Sequence, residues 1–84
     1  MKGCEELIYE LTEEELERLV KLLYDVIERL EEAILNLVDV EDDISDMARI
    51  LECVELSMDA DEVLGMIGKL RKILVKLQRL KDRL

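Results

Sequence analysis

Proline, phenylalanine, tryptophan and histidine are all missing from this 84-residue sequence, and two tyrosines are its only aromatic residues. Without proline no ring stands in the way of a long helix, so the chain reads as all-helical. Without histidine the commonest general base and the commonest metal ligand are gone, and much enzyme chemistry goes with them. Long apolar runs are absent as well: none exceeds three residues, against the roughly 20 needed to span a bilayer. The opening Met1-Lys2-Gly3-Cys4-Glu5 has no apolar core of the kind a secretory leader carries, so a cytoplasmic protein is expected. Cys4 and Cys53 form no C-x-x-C pair. They are expected as free thiols, with a disulfide or a cross-link between copies as the alternative.

What is present is leucine and charge. Half the residues are hydrophobic and 40% are charged, a balance that suits a globular or coiled-coil-like chain rather than a disordered one. Residues 1–84 read as a single helical domain. A chain this short buries only roughly 60–65% of its unfolded surface, so association with a partner is expected to complete the core.

The organising feature is a ladder of apolar residues: Leu16, Leu19, Leu23, Val26, Leu30, Ala33, Leu37, Val40, Ile44, Met47, Leu51, Val54 and Met58. The steps alternate three and four throughout, which is the spacing of one helical face with coiled-coil-like heptads. Val20, Ile27 and Ile34 recur every seven residues beside it. Three apolar positions per heptad indicate a bundle face wider than a two-stranded seam. Thr12 marks the start, with Glu15 completing a capping box and Leu11 and Leu16 at the positions of a hydrophobic staple.

Before it, Cys4, Leu7, Ile8 and Leu11 share one face and predict a short helix over residues 4–11. Within the ladder, residues 36–46 crowd five acids together. The unbroken phase favours one long helix over 13–57, bent if anywhere near Asp42, and the alternative is a three-helix bundle broken near 38–43. Asp59, with Glu62 three residues later and Met58 and Val63 as staple, predicts a last helix over 60–84. Gly65 and Gly68 in its first turns are read as permitting close approach to another helix, with fraying as the alternative. The fold expected is therefore an all-α antiparallel helical bundle.

Charge divides along the chain. Residues 1–62 carry 5 basic and 21 acidic side chains and residues 63–84 carry 7 and 1, so the net charges are −16 and +6. Lys69, Arg71, Lys72, Lys76, Arg79, Lys81 and Arg83 form a candidate basic surface. The plain reading is that they flank acidic neighbours in the bundle. A sharper one is a basic amphipathic helix that meets an anionic membrane surface. The overall −10 argues against direct nucleic-acid binding.

No catalytic, cofactor or metal site is expected. An EF-hand loop begun at Asp39 places Ile44 where glycine is required and Ile50 where the bidentate glutamate belongs. Glu28 and Glu31 with Asp43 and Asp46 have spacing reminiscent of magnesium-binding helices but lie off the ladder, whereas a bundle site needs inward-facing ligands. Cys53 sits between Glu52 and Glu55, with no basic neighbour in sequence to activate a thiolate nucleophile. What remains is surface. Leu22, Tyr24, Leu35, Val38, Ile50 and Leu56 lie outside the ladder and form the candidate partner interface.

The expected function is a non-enzymatic protein-interaction or assembly module that forms a homodimeric bundle. Two alternatives stand beside it: an acidic inhibitor or nucleic-acid mimic that occupies a basic surface of a target, and a designed bundle without natural function. Complete caps, regular heptads and missing residue types suit design, while the Glu, Lys and Arg content suits a thermophile.

Overall fold

The computed structural model describes residues 3–84, so Met1 and Lys2 of the stretch read for a leader lie outside the described residues. These residues form three helices with no strand among them: α1 (Cys4–Leu7), continued by a 3-10 turn at Ile8–Glu10, then α2 (Glu13–Leu51) and α3 (Val54–Asp82). The architecture is an antiparallel hairpin of α2 and α3, with the short N-terminal segment laid across its open end.

The start of α2 is written in local chemistry. The Thr12 hydroxyl accepts the Glu15 backbone N–H at 3.2 Å, and the Glu15 carboxylate accepts the Thr12 N–H at 3.0 Å. Two orphan donors of the first turn are thereby satisfied. Leu11 and Leu16, both half-buried, hold the staple positions.

α2 then runs through the acidic stretch without interruption, so the alternative break near 38–43 is corrected. Asp39, Asp42, Asp43 and Asp46 point to solvent while Leu37 and Ile44 are half-buried on the hairpin side. The acids therefore keep their hydration and the apolar contacts hold the helix. Glu41, which falls in the otherwise apolar column of Val20, Ile27, Ile34 and Ala48, is half-buried and accepts the Ser45 hydroxyl at 2.9 Å.

The end of α2 lies earlier than the capping signal at Asp59 predicts. Glu52 adopts a left-handed conformation, φ 52° and ψ 43°. The Cys53 N–H reaches back to the Ala48 carbonyl at 2.9 Å and the Glu52 N–H to that of Arg49 at 3.3 Å. This is a Schellman closure with glutamate at the position glycine usually holds. α3 begins at Val54, with no side-chain cap from Cys53, and Asp59, Glu62 and Val63 lie inside it.

Packing explains the shift. Starting α3 early gives it the column Leu56, Ala60, Val63, Ile67, Leu70, Leu74 and Leu77, all buried or half-buried. A break at Asp59 would strand Leu56 on the wrong helix. Burying one such side chain contributes up to about 1.5–3 kcal/mol, which offsets the forgone cap, about 1 kcal/mol, together with the left-handed glutamate, roughly 1–2 kcal/mol.

The buried core is Leu23, Ile27, Ile34 and Ala48 of α2 with Ala60 and Ile67 of α3. The two alanines sit nearest the turn and let the helices approach closely there. The glycine pair does not serve this purpose, which corrects the close-approach reading: both are exposed, and a Cβ at either would meet nothing within 4 Å.

The result is a thin slab of 57 × 26 × 15 Å. Its long edge matches 39 residues of α2 at 1.5 Å each. Its radius of gyration is 17.9 Å, where a compact chain of this length has about 12 Å.

Candidate interaction surface

The ladder divides between two sides of α2. Leu23, Leu30, Leu37 and Ile44 turn toward α3, together with the flanking column that begins at Val20. The other half of the rungs does not. Val26, Val40 and Met47 are exposed, and Ala33 is half-buried. On α3 the matching column of Met66 and Ile73 is exposed as well.

These columns lie on one side of the hairpin. At the open end Cys4, Leu7, Ile8 and Leu11 enclose an open apolar cleft of about 480 Å³ with Leu19 and Leu22 of α2 and Leu80 of α3. Leu19 begins the column of Val26, Ala33, Val40 and Met47 at heptad spacing, and Leu80 ends that of Met66 and Ile73. The N-terminal segment thus covers the first part of an apolar face that continues bare toward the turn. The Arg83 guanidinium, 3.3 Å from the Glu5 carboxylate, ties that segment to the end of α3.

The opposite side is mixed in character. A second cleft there is lined by Glu31, Ile34, Leu35, Arg71, Leu74 and Gln78, and the Lys81 ammonium stands 5.2 Å from the centre of the Tyr24 ring, a cation–π contact.

The six residues singled out from the sequence are spread over the molecule. Leu22 belongs to the N-terminal cleft, whereas Leu35 and Tyr24 belong to the opposite side. Val38 and Leu56 are half-buried. Ile50, at 81% exposure, and Val54, at 74%, form a bare apolar tip at the turn. The sequence places Val26, Val40 and Met47 on the ladder, outside the candidate partner interface. The available signal was three apolar positions per heptad, of which one facing helix covers only two.

Of the basic residues, Arg71, Lys72, Lys76 and Arg79 line one shallow groove on α3, while Lys81 and Arg83 are engaged with Tyr24 and Glu5. Lys69 is exposed. Among the described residues no group of three or more His, Cys, Asp or Glu is placed to hold a metal ion, and no helix is long and apolar enough to cross a membrane. Cys4 and Cys53 are free thiols.

The Glu15 carboxyl is held below its ordinary value of 4.5, first by the backbone hydrogen bond from Thr12 and then by that residue's hydroxyl. This carboxylate serves the helix start. Comparison with protein-family models, with curated proteins and with solved structures gives no match.

Proposed function

We propose that the chain is a non-enzymatic assembly module whose working form is a homodimeric helical bundle. The observation that carries this reading is surface. The chain exposes 6922 Å², whereas a compact monomer of its 9.8 kDa exposes about 5,200 Å². The difference, roughly 1,700 Å², exceeds the ~800 Å² that each partner contributes to a standard stable interface. A slab one helix thick has a second apolar side, and stacking two slabs is the simplest way to bury it. The two free thiols suit a reducing, cytoplasmic setting.

Sedimentation equilibrium at micromolar concentration tests the proposal. A mass near twice the 9.8 kDa of the chain is expected, and a monomer persisting at 100 µM, roughly where a weak interface of this kind would already have formed, overturns it.

A second reading, an acidic inhibitor that occupies a basic surface of a target, draws on the exposed Glu28, Glu32, Asp39, Asp42 and Asp46 along the outer side of α2. Such a field speeds encounter with a positive surface and weakens with salt. Binding to basic target proteins that does not change with ionic strength removes this second reading.

A further inference from the structure

Resting on the dimer reading, we infer that the occupant of the bare face is a second copy of this chain, docked antiparallel about a two-fold axis at the level of Asn36 and Lys69. The face consists of Val26, Ala33, Val40 and Met47 on α2 with Met66 and Ile73 on α3. It continues directly from the surface that the N-terminal segment already covers at Leu19, Leu22 and Leu80.

A two-fold interface must be complementary to itself: if residue i meets j, then j meets i. The charged rims of this face meet that demand in one orientation only. Beside the apolar column of α2 runs a rim of Leu22, Arg29, Asn36, Asp43 and Ile50, and beside that of α3 a rim of Glu62, Lys69 and Lys76. Lys81 stands against Tyr24, and both are equally distant from the turn at Glu52 and Cys53. Residues equidistant from the turn therefore share a level, which sets Asn36 beside Lys69, Arg29 beside Lys76 and Asp43 beside Glu62.

With the turns at opposite ends, α2 lies on the partner's α2. One heptad either side of Asn36, Arg29 then meets the partner's Asp43. One heptad either side of Lys69, Glu62 meets the partner's Lys76. Symmetry doubles each pair, so four opposite-charge contacts stand against one like-charge meeting of Lys69 with its own copy.

With the turns at the same end, α2 lies on the partner's α3 instead. Arg29 then faces the partner's Lys76 and Asp43 the partner's Glu62, so all four contacts are between like charges. Both N-terminal segments would also crowd the same end of the interface.

The antiparallel arrangement accounts for two further features. Two heptads from Asn36, Leu22 meets the partner's Ile50, so the bare tip of one hairpin enters the apolar cleft that Cys4, Leu7, Ile8 and Leu11 build on the other. The N-terminal segment is then a wall against which the partner's turn stops, fixing the register as well as covering the open end.

The experiment is a charge-reversal cycle read by sedimentation across 1–100 µM, a range set by the affinity expected of an interface this size. Circular dichroism checks that each variant folds. Arg29→Glu and Asp43→Arg, both exposed, are each expected to raise the dissociation constant about tenfold, and the double variant to restore it, because only the pair reforms the contact. Leu35→Glu on the opposite side is expected to leave association unchanged. Independently, Asn36→Cys with Cys4→Ser and Cys53→Ser is expected to cross-link into a symmetric disulfide dimer on mild oxidation.

A dimer that responds to Leu35→Glu, ignores the Arg29 and Asp43 reversals and fails to cross-link at position 36 overturns this face while leaving the assembly reading in place. A trimer or larger assembly does the same. A strict monomer overturns both.

Discussion

The two ends of α2 are made in different ways. At Thr12 the chain uses local chemistry: a hydroxyl, a carboxylate three residues on, and two leucines that clamp the entry. At Glu52 that chemistry is absent. A side chain poorly suited to a left-handed conformation accepts it, no side chain caps the following helix, and a complete capping signal at Asp59 goes unused. The lesson is one of magnitude. A cap is worth about 1 kcal/mol, and it decides a boundary only where packing does not oppose it. At the turn, seating Leu56 against α2 opposes it.

The largest effect is expected where packing alone sets the boundary. Ala60 is 3% exposed and Ala48 is 4% exposed, so Ala60→Leu forces the helices apart beside the turn. A loss of about 1–3 kcal/mol is expected in chemical denaturation. If Ala60→Leu is neutral, the close approach near the turn is not what holds the break at Glu52.

At the other end, Thr12→Ala removes the hydroxyl from the capping box, and a loss of about 1 kcal/mol is expected. This end should also carry a pH signature. The Glu15 pKa is depressed in the folded chain, so its contribution is present above the unfolded carboxylate value and is lost as pH falls through the folded one. Acid titration of stability should therefore show a component that Thr12→Ala diminishes. The same slope in both proteins would argue that the backbone N–H of residue 12, which the variant keeps, is what holds the carboxyl down.

Glu52→Gly sharpens the contrast from the opposite direction. Glycine adopts the left-handed region without steric cost, so the variant should be more stable by about 1 kcal/mol, with the turn unmoved. Asn is expected to give part of that gain. Destabilisation would mean that the glutamate side chain makes a contact worth more than the strain.

How much of this was legible in the sequence follows the same division. The all-helical hairpin, the helix through the acidic stretch and the start at Thr12 were readable, because hydrophobic period and capping are local patterns. The turn was not. The ladder keeps its phase through Val54 and Met58 although both belong to α3 and are exposed, so phase continuity concealed the break. Leu56 counted as off-ladder, yet it faces α2, because its proper reference is the column of the second helix. The exposed columns were hidden by the same habit: Val26, Val40 and Met47 satisfy the pattern of a core, and only knowing that a single helix lies opposite shows them to be bare.

The smallest effect belongs to Gly65 and Gly68, which weaken the half of α3 nearest the uncapped start. Both lie in the helix interior with negative φ, and open space surrounds the position of an added Cβ. Nothing in the folded chain therefore opposes alanine, which also narrows the unfolded ensemble. Gly68→Ala is expected to stabilise by roughly 0.5–1 kcal/mol. Heptad position places both glycines on the outer side of α3, away from Met66 and Ile73. The gain should therefore appear in the stability of the hairpin while the dissociation constant of the proposed dimer stays as it was. Weakened association in Gly68→Ala would show that a neighbour approaches the glycine side instead, and the comparison between the two edges of α3 would have to be redrawn.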